Sequence, residues 1–246
     1  MITLLTFPPA FGATAASPFC VKAIWLLNMS GQSWTREDIA DPRGMPKQKL
    51  PALRDETTLV HDSDNIRTHL EQRGADFDAG LSDIEKATSR AFIRMAEEHM
   101  YFHIVLDRWG DDDVWPLIRE EYFQMIPKIL RGFVTNKLRK TCLNGMHAQG
   151  LGRLTPAERL TRIEPDLQAI TIRLWHGAFL FGDIPTAADA SVAAMLQNMR
   201  ATPGKTLLKT RIAEDEILCR YIDRMEDLMR APKAVASNDE SALLCA

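Results

Sequence analysis

Only four cysteines, Cys20, Cys142, Cys219 and Cys245, are spread over the 246 residues, and none sits at a paired spacing. That distribution excludes a disulfide framework and a zinc knuckle, and it favours a reducing compartment. An excess of one charge is also missing: 30 Lys and Arg against 33 Asp and Glu leave a formal net charge of −3. The chain therefore carries no basic footprint for nucleic acid and no acidic tail. No apolar run approaches the roughly 18 residues needed to cross a bilayer. The opening run "ITLLTF" is stopped by Pro8 and Pro9 and has no basic stretch ahead of it, which argues against a signal peptide. With 46% apolar and 26% charged residues, the expectation is an unprocessed cytoplasmic globular protein.

What is there falls into two unlike halves. "ITLLTF" reads as a buried strand. Ser17 then suits an N-cap and Pro18 the first helical position, and Val21, Ile24, Trp25 and Asn28 follow helical spacing up to Gly31. "SWTRED" (33–38) reads as a second strand, and "DPRGMPKQKLP" as loop. "ALR" and "TLV" around "DET" form a hairpin pattern, and "HDSDNIRTHLEQRG" is a helix capped by Asp62 or Ser63 and ended by Gly74. The order β-α-β, loop, β-β-α over 1–76 gives way, past the linker "GADFDAG", to helical patterns alone over 81–230. These include one long helix over "IEKATSRAFIRMAEEHMYFHIVLDRW" and a second over "DVWPLIREEYFQMIPKILRGFV". Residues 231–246 are expected to form a flexible tail. The fold class expected is α+β.

Four separated motifs resemble those of the glutathione transferases. "SPFC" (17–20) resembles the active-site turn of the thioredoxin fold, and "KLPAL" (49–53) the step with a cis proline before the third strand. "HDSDNI" (61–66) resembles the motif that receives the γ-glutamyl end of glutathione. "FLFGDIPTAADASVAAML" resembles the family's Gly-Asp-x-x-Thr-x-Ala-Asp motif, a capping box in which Asp189 reaches back to the Thr186 amide. Within the superfamily, "SPFCVKA", "AEEHMYFHIVLDRW" and "AQGLGRLTPAE" are similar to the metaxin and failed-axon-connections branch, which is better known for membrane-associated interaction than for catalysis. The resemblance implies a thioredoxin-like domain followed by an all-helical domain, a homodimer, and glutathione as co-substrate with a small electrophile.

With Ser17 where a dithiol enzyme has its first cysteine, an intramolecular dithiol cycle cannot close. Two chemistries survive: the Ser17 hydroxyl donates to the thiolate of bound glutathione, or Cys20 itself forms a mixed disulfide. A free thiol titrates near ~8.5, so making the thiolate dominant at neutral pH needs about two units, or roughly 2.7 kcal/mol. A helix N-terminus supplies about 0.3–1 kcal/mol, reaching ~2 when partly buried. A hydrogen bond to the charged sulfur adds roughly 1.5–3 kcal/mol. Together they suffice. The competing readings are that Ser17 merely caps the helix and that Cys20 is core packing.

The resemblance further implies that Leu50, before a cis Pro51, pairs its main chain with the cysteinyl moiety. By the same resemblance Ser63 meets the γ-glutamyl carboxylate, Asp62 accepts from the α-ammonium, and Lys49 meets the glycyl carboxylate. Capping alone would also explain Asp62 and Ser63. His99, His103 and Asp107 share one helical face, open to reading as a zinc site or as a polar stripe under the first domain or along the electrophile pocket. No metal site is expected. Met95, Tyr101, Trp109 and Trp115 are candidate pocket walls, and "NKLRK" (136–140) a solvated helix end. The leading expectation is glutathione conjugation. The alternatives are a non-catalytic interaction module of the metaxin kind and a thiol transferase using Cys20.

Overall fold

The computed structural model describes residues 2–230; the expected tail, 231–246, lies outside them. The first domain is a sheet of β1 (Ile2–Thr6), β2 (Trp34–Asp38), β3 (Ala52–Asp55) and β4 (Thr58–His61), with α1 (Pro18–Ser30) and α2 (Ser63–Gln72). Spatial order is β2-β1-β3-β4. β1 and β2 are parallel, with Ile2 opposite Trp34, and α1 supplies the crossover that a parallel pair requires. β3 runs antiparallel to β1, with Leu4 opposite Leu53, and β4 returns as a hairpin with Ala52 opposite His61.

α1 begins at Pro18, whose missing amide is no loss at a first helical position, and stops at Gly31 with φ 73°. Every residue from Cys20 to Leu27 is buried. Apolar on every face but that of Lys22, the helix has to be covered on all sides: α1 lies against β1, α2 and, from the second domain, α8 (Ala187–Arg200). α8 is itself buried from Ala187 to Met199, and its alanines let the two helices approach closely.

The second domain is helical throughout. α3 (Asp83–Met95) starts at a capping box of Ser82 and Glu85 and continues through a π turn (Ala96–Met100), α4 (Tyr101–Val105) and a second π turn (Leu106–Gly110). The sequence predicts one regular helix here; the two wide turns are the difference, and such turns gather at functional sites. The second expected helix is also divided, into α5 (Trp115–Tyr122) and α6 (Lys128–Gln149), because Pro127 disfavours helical backbone before it. α6 leaves Ile129 and Phe133 exposed. α7 (Pro156–Leu174) precedes α8, and α9 (Leu207–Ala213) and α10 (Glu216–Arg230) complete the bundle. The short α9 follows a Pro/Gly stretch that reads as loop. The capping box at α8 is formed as the sequence motif indicates: Asp189 accepts from the Thr186 amide (2.8 Å), the Thr186 hydroxyl (2.8 Å), the Leu180 amide (2.9 Å) and the Tyr221 hydroxyl (2.7 Å). No helix among the described residues is long and apolar enough to cross a membrane.

Candidate functional site

A cavity of about 1180 Å³ opens where the first domain faces the α3–α4 helix and the 121–125 turn. Three loops of the first domain reach it. Ser17 lines it at the start of α1, in extended backbone (φ −108°, ψ 132°), and its hydroxyl makes no capping bond. That corrects the expectation of a serine cap: Ser17 has the cap position without the cap hydrogen bond. The amides of Ser17 and Phe19 also have no main-chain partner among the described residues, so the positive end of α1 faces the cavity unsatisfied.

The second loop brings Lys49, Leu50 and Pro51 to the same cavity. The Leu50–Pro51 bond is cis, and among the described residues neither the amide nor the carbonyl of Leu50 has a main-chain partner. The third loop brings Asp62 and Ser63 at the N-terminus of α2. Asp62 holds φ 74°, ψ 137° and caps the helix by accepting from the Asp64 amide at 2.8 Å. For a residue with a side chain that backbone costs about 1–3 kcal/mol. The buried Ser63 lies at the first helical position, where the helix leaves amides free.

Cys20 is not on the cavity wall. It is fully buried in the main core, and burial pushes its thiol up; the Thr6 hydroxyl, the Phe7 amide and the Ser17 hydroxyl offset only part of this. A thiol held protonated inside a core is a poor nucleophile.

Charges ring the cavity in a connected set. Lys22, with no exposed side-chain surface, reaches Glu97 at 2.6 Å and Asp64 at 3.6 Å. Ser191 donates to Glu97 at 2.9 Å, and Arg90 and Arg94 hold Asp64 at 2.9 and 2.8 Å. Burial alone would raise the Asp64 carboxyl, but Lys22, Arg90 and Arg94 outweigh it and hold the group below the ordinary carboxylate range. Deeper in the cavity, Arg108 donates to the Ala16 carbonyl (2.7 Å) and the Tyr122 hydroxyl (2.8 Å), with its other end on Asn198.

Of the expected pocket walls, Tyr101 and Trp109 line the cavity. Met95 instead packs on the main core, and Trp115 is buried in a small cluster with Val114 and Ile118. His99, His103 and Asp107 turn away from the cavity, which corrects the placement of that stripe under the first domain or in the pocket. They face α7, where His99 bonds Asp166 and Asp107 lies 3.7 Å from Arg159. Tyr101 stands two residues from both His99 and His103, roughly 200° of helix rotation, so it lies on the side opposite the two histidines. Burial drives the His103 pKa down to about 3, with His99 and the arginines of α7 adding to the shift. Among the described residues no group of three or more His, Cys, Asp or Glu is placed to hold a metal ion. Tyr122 lies in no motif, and Lys22, Glu97 and Arg108 lie within "SPFCVKA" and "AEEHMYFHIVLDRW" with no role of their own assigned by the sequence; only the packing of distant helices brings them together around the cavity.

A thioredoxin-like sheet domain carrying a cis proline and an open helix start, docked on a helical bundle, is the two-domain architecture of the glutathione S-transferase fold. The chain belongs to the glutathione S-transferase family. The family's N-terminal domain model matches residues 18–114 and its C-terminal domain model residues 163–225. The isoprene-epoxide glutathione S-transferase of Rhodococcus sp. (strain AD45) is 30% identical over 92% of this chain and 98% of its own. Metaxin-1 of Sus scrofa is 26% identical over 74% of this chain, which spans 61% of that protein's length. A glutathione transferase of Phanerochaete chrysosporium shares the fold, with a TM-score of 0.61 at 18% identity, over 92% of this chain and 96% of that one.

Proposed function

We propose that this protein conjugates glutathione to a small electrophile of the epoxide class, with Ser17 stabilising the thiolate. The observation that carries the reading is convergence: Ser17, Leu50 and Ser63, far apart in sequence, line one cavity, and the main-chain groups of Ser17, Phe19 and Leu50 have no main-chain partner among the described residues. The thiol sits at the start of α1, where the Ser17 hydroxyl and two free amides favour its anion. The cysteinyl main chain pairs with Leu50 as an added strand would. The γ-glutamyl carboxylate meets Ser63 and the start of α2, with Asp62 for the ammonium, and Lys49 takes the glycyl carboxylate. The epoxide class is suggested by the name of the Rhodococcus relative, whose match spans nearly its whole length. A cytoplasmic homodimer belongs to the same reading.

The interaction-module alternative has less behind it, because the metaxin match is lower and covers only 61% of that protein. Thiol transfer through Cys20 is disfavoured by the buried, protonated sulfur. Calorimetric titration with glutathione tests the proposal. Wild type binds, and Asp62→Ala/Ser63→Ala loses at least tenfold in affinity. No heat and no thermal shift with glutathione would reject the transferase reading.

A further inference from the structure

We propose that Arg108, from the helical domain, is a positioning residue whose buried charge favours the thiolate of glutathione held at Ser17. The inference rests on the transferase reading above. Three Lys or Arg side chains are buried among the described residues: Lys22, Arg108 and Arg131. Lys22 pairs with Glu97 at 2.6 Å and Arg131 with Glu120 at 2.6 Å. Arg108, 4% exposed, has neutral partners alone among the described residues. Burying a charge without a counter-ion is costly. Arg108 also lines the cavity, so the missing anion is one that the cavity receives.

The guanidinium has no donor left for a ligand. Its Nε–H reaches the Thr202 hydroxyl at 3.3 Å. One terminal nitrogen donates to the Ala16 carbonyl at 2.7 Å and the Tyr122 hydroxyl at 2.8 Å. The other donates to the Asn198 carbonyl at 2.7 Å and its side-chain oxygen at 3.0 Å. All five N–H groups of the arginine are thereby used. Its action on glutathione is indirect, through the Ala16–Ser17 peptide. The carbonyl of that peptide takes the Arg108 bond, and its amide is the Ser17 N–H without a main-chain partner at the start of α1. A donor on the carbonyl polarises the peptide and strengthens the N–H on its other side. The same bond fixes the loop that carries the Ser17 hydroxyl.

The charge acts on the groups around it. Burial pushes the phenols of Tyr101 and Tyr122 up, and Arg108 opposes the rise at both. Glu121, exposed beside Tyr122, acts on that phenol in the opposite sense. For the bound thiol the step is an ionisation: the S–H bond breaks, the sulfur keeps the electron pair and the proton leaves to water. An opposite charge within ~4–6 Å shifts a pKa by about one to three units. Arg108 works across one peptide, so about one unit is expected of it.

Two variants test this. Asn198→Asp sets a carboxylate against the guanidinium and keeps the arginine in place, whereas Arg108→Met removes the charge. Ultraviolet difference absorption of bound glutathione against pH reads the thiolate. Both variants are expected to raise the pH of half-ionisation by about one unit relative to wild type. The rate with 1-chloro-2,4-dinitrobenzene at saturating glutathione should then fall about tenfold near pH 5.5 and match wild type near pH 9, where the thiol is ionised in all three proteins. A structural defect lowers the rate equally at both pH values. That result, or half-ionisation in Asn198→Asp at the wild-type pH, overturns the proposal and leaves the transferase reading standing. If Arg108→Met does not fold, Asn198→Asp decides alone. A wild type that fails to bind glutathione removes both readings.

Discussion

Lys22 Nζ lies 2.6 Å from Glu97 Oε1, joining the first helix of the sheet domain to the wide turn after α3 with no exposed surface on the lysine side chain. Glu97 lines the cavity with Lys22 behind it, and Glu97 also accepts from Ser191 of α8. Removing one member of a buried pair strands the other charge, at a cost of about 3–5 kcal/mol. Lys22→Met is expected to lower unfolding free energy by that order in urea denaturation. Lys22→Met/Glu97→Gln should recover part of the loss. Strictly additive single and double variants would mean the pair is not coupled.

Cys20 is expected to stay unlabelled by iodoacetamide at neutral pH in the native protein, and to react once the chain is unfolded. Burial holds its thiol protonated and unreachable. Cys20→Ala should conjugate glutathione within a few fold of wild type. Peptide mapping after labelling checks the first statement, and rapid labelling of native Cys20 would restore it as a candidate nucleophile.

His103 makes stability pH-dependent. Its folded pKa, about 3, lies below the ordinary histidine value, so the unfolded chain binds the proton more readily. Stability is then full above pH ~6.5 and falls on acidification by up to about 1.4 kcal/mol per unit. His103→Gln should flatten that acid limb relative to wild type between pH 6.5 and 5. Asp107, whose carboxyl burial raises, contributes in the opposite sense but is common to both proteins. Identical slopes in urea titrations across this range would contradict the assignment.

Asp189 holds four donors inside the second domain. Asp189→Ala leaves buried donors unpaired at about 1–3 kcal/mol each, and the expected result is a loss of at least ~3 kcal/mol in unfolding free energy. A loss below ~1 kcal/mol would show that water replaces the carboxylate.

Much of the fold is legible in local sequence signals. Pro18 and Gly31 bracket α1, and Thr186 with Asp189 marks the start of α8, because caps and turns are fixed by neighbours in sequence. The two π turns and the break before Pro127 were not legible as such, since the pattern of apolar residues continues across them. At the candidate site, Ser17, Leu50, Pro51, Asp62 and Ser63 could be named because each lies in a short motif. Tyr122 lies in no motif, and Arg108, although within "AEEHMYFHIVLDRW", had no role there: the two acquire meaning only when residues 14 apart in sequence meet at the Ala16 carbonyl. The pocket walls divided for the same reason, with Trp109 turned to the cavity and Trp115 to its own cluster.

The direct test is to follow glutathione's sulfur as it ionises on the protein, by ultraviolet difference absorption against pH, in wild type and Ser17→Ala. Wild type should show the bound thiol titrating about two units below the free value, and Ser17→Ala should return it by about one to two units, the worth of a hydrogen bond to a charged group. Bound glutathione that ionises at its free-solution pH in wild type, or at the same lowered pH in both proteins, would contradict the account.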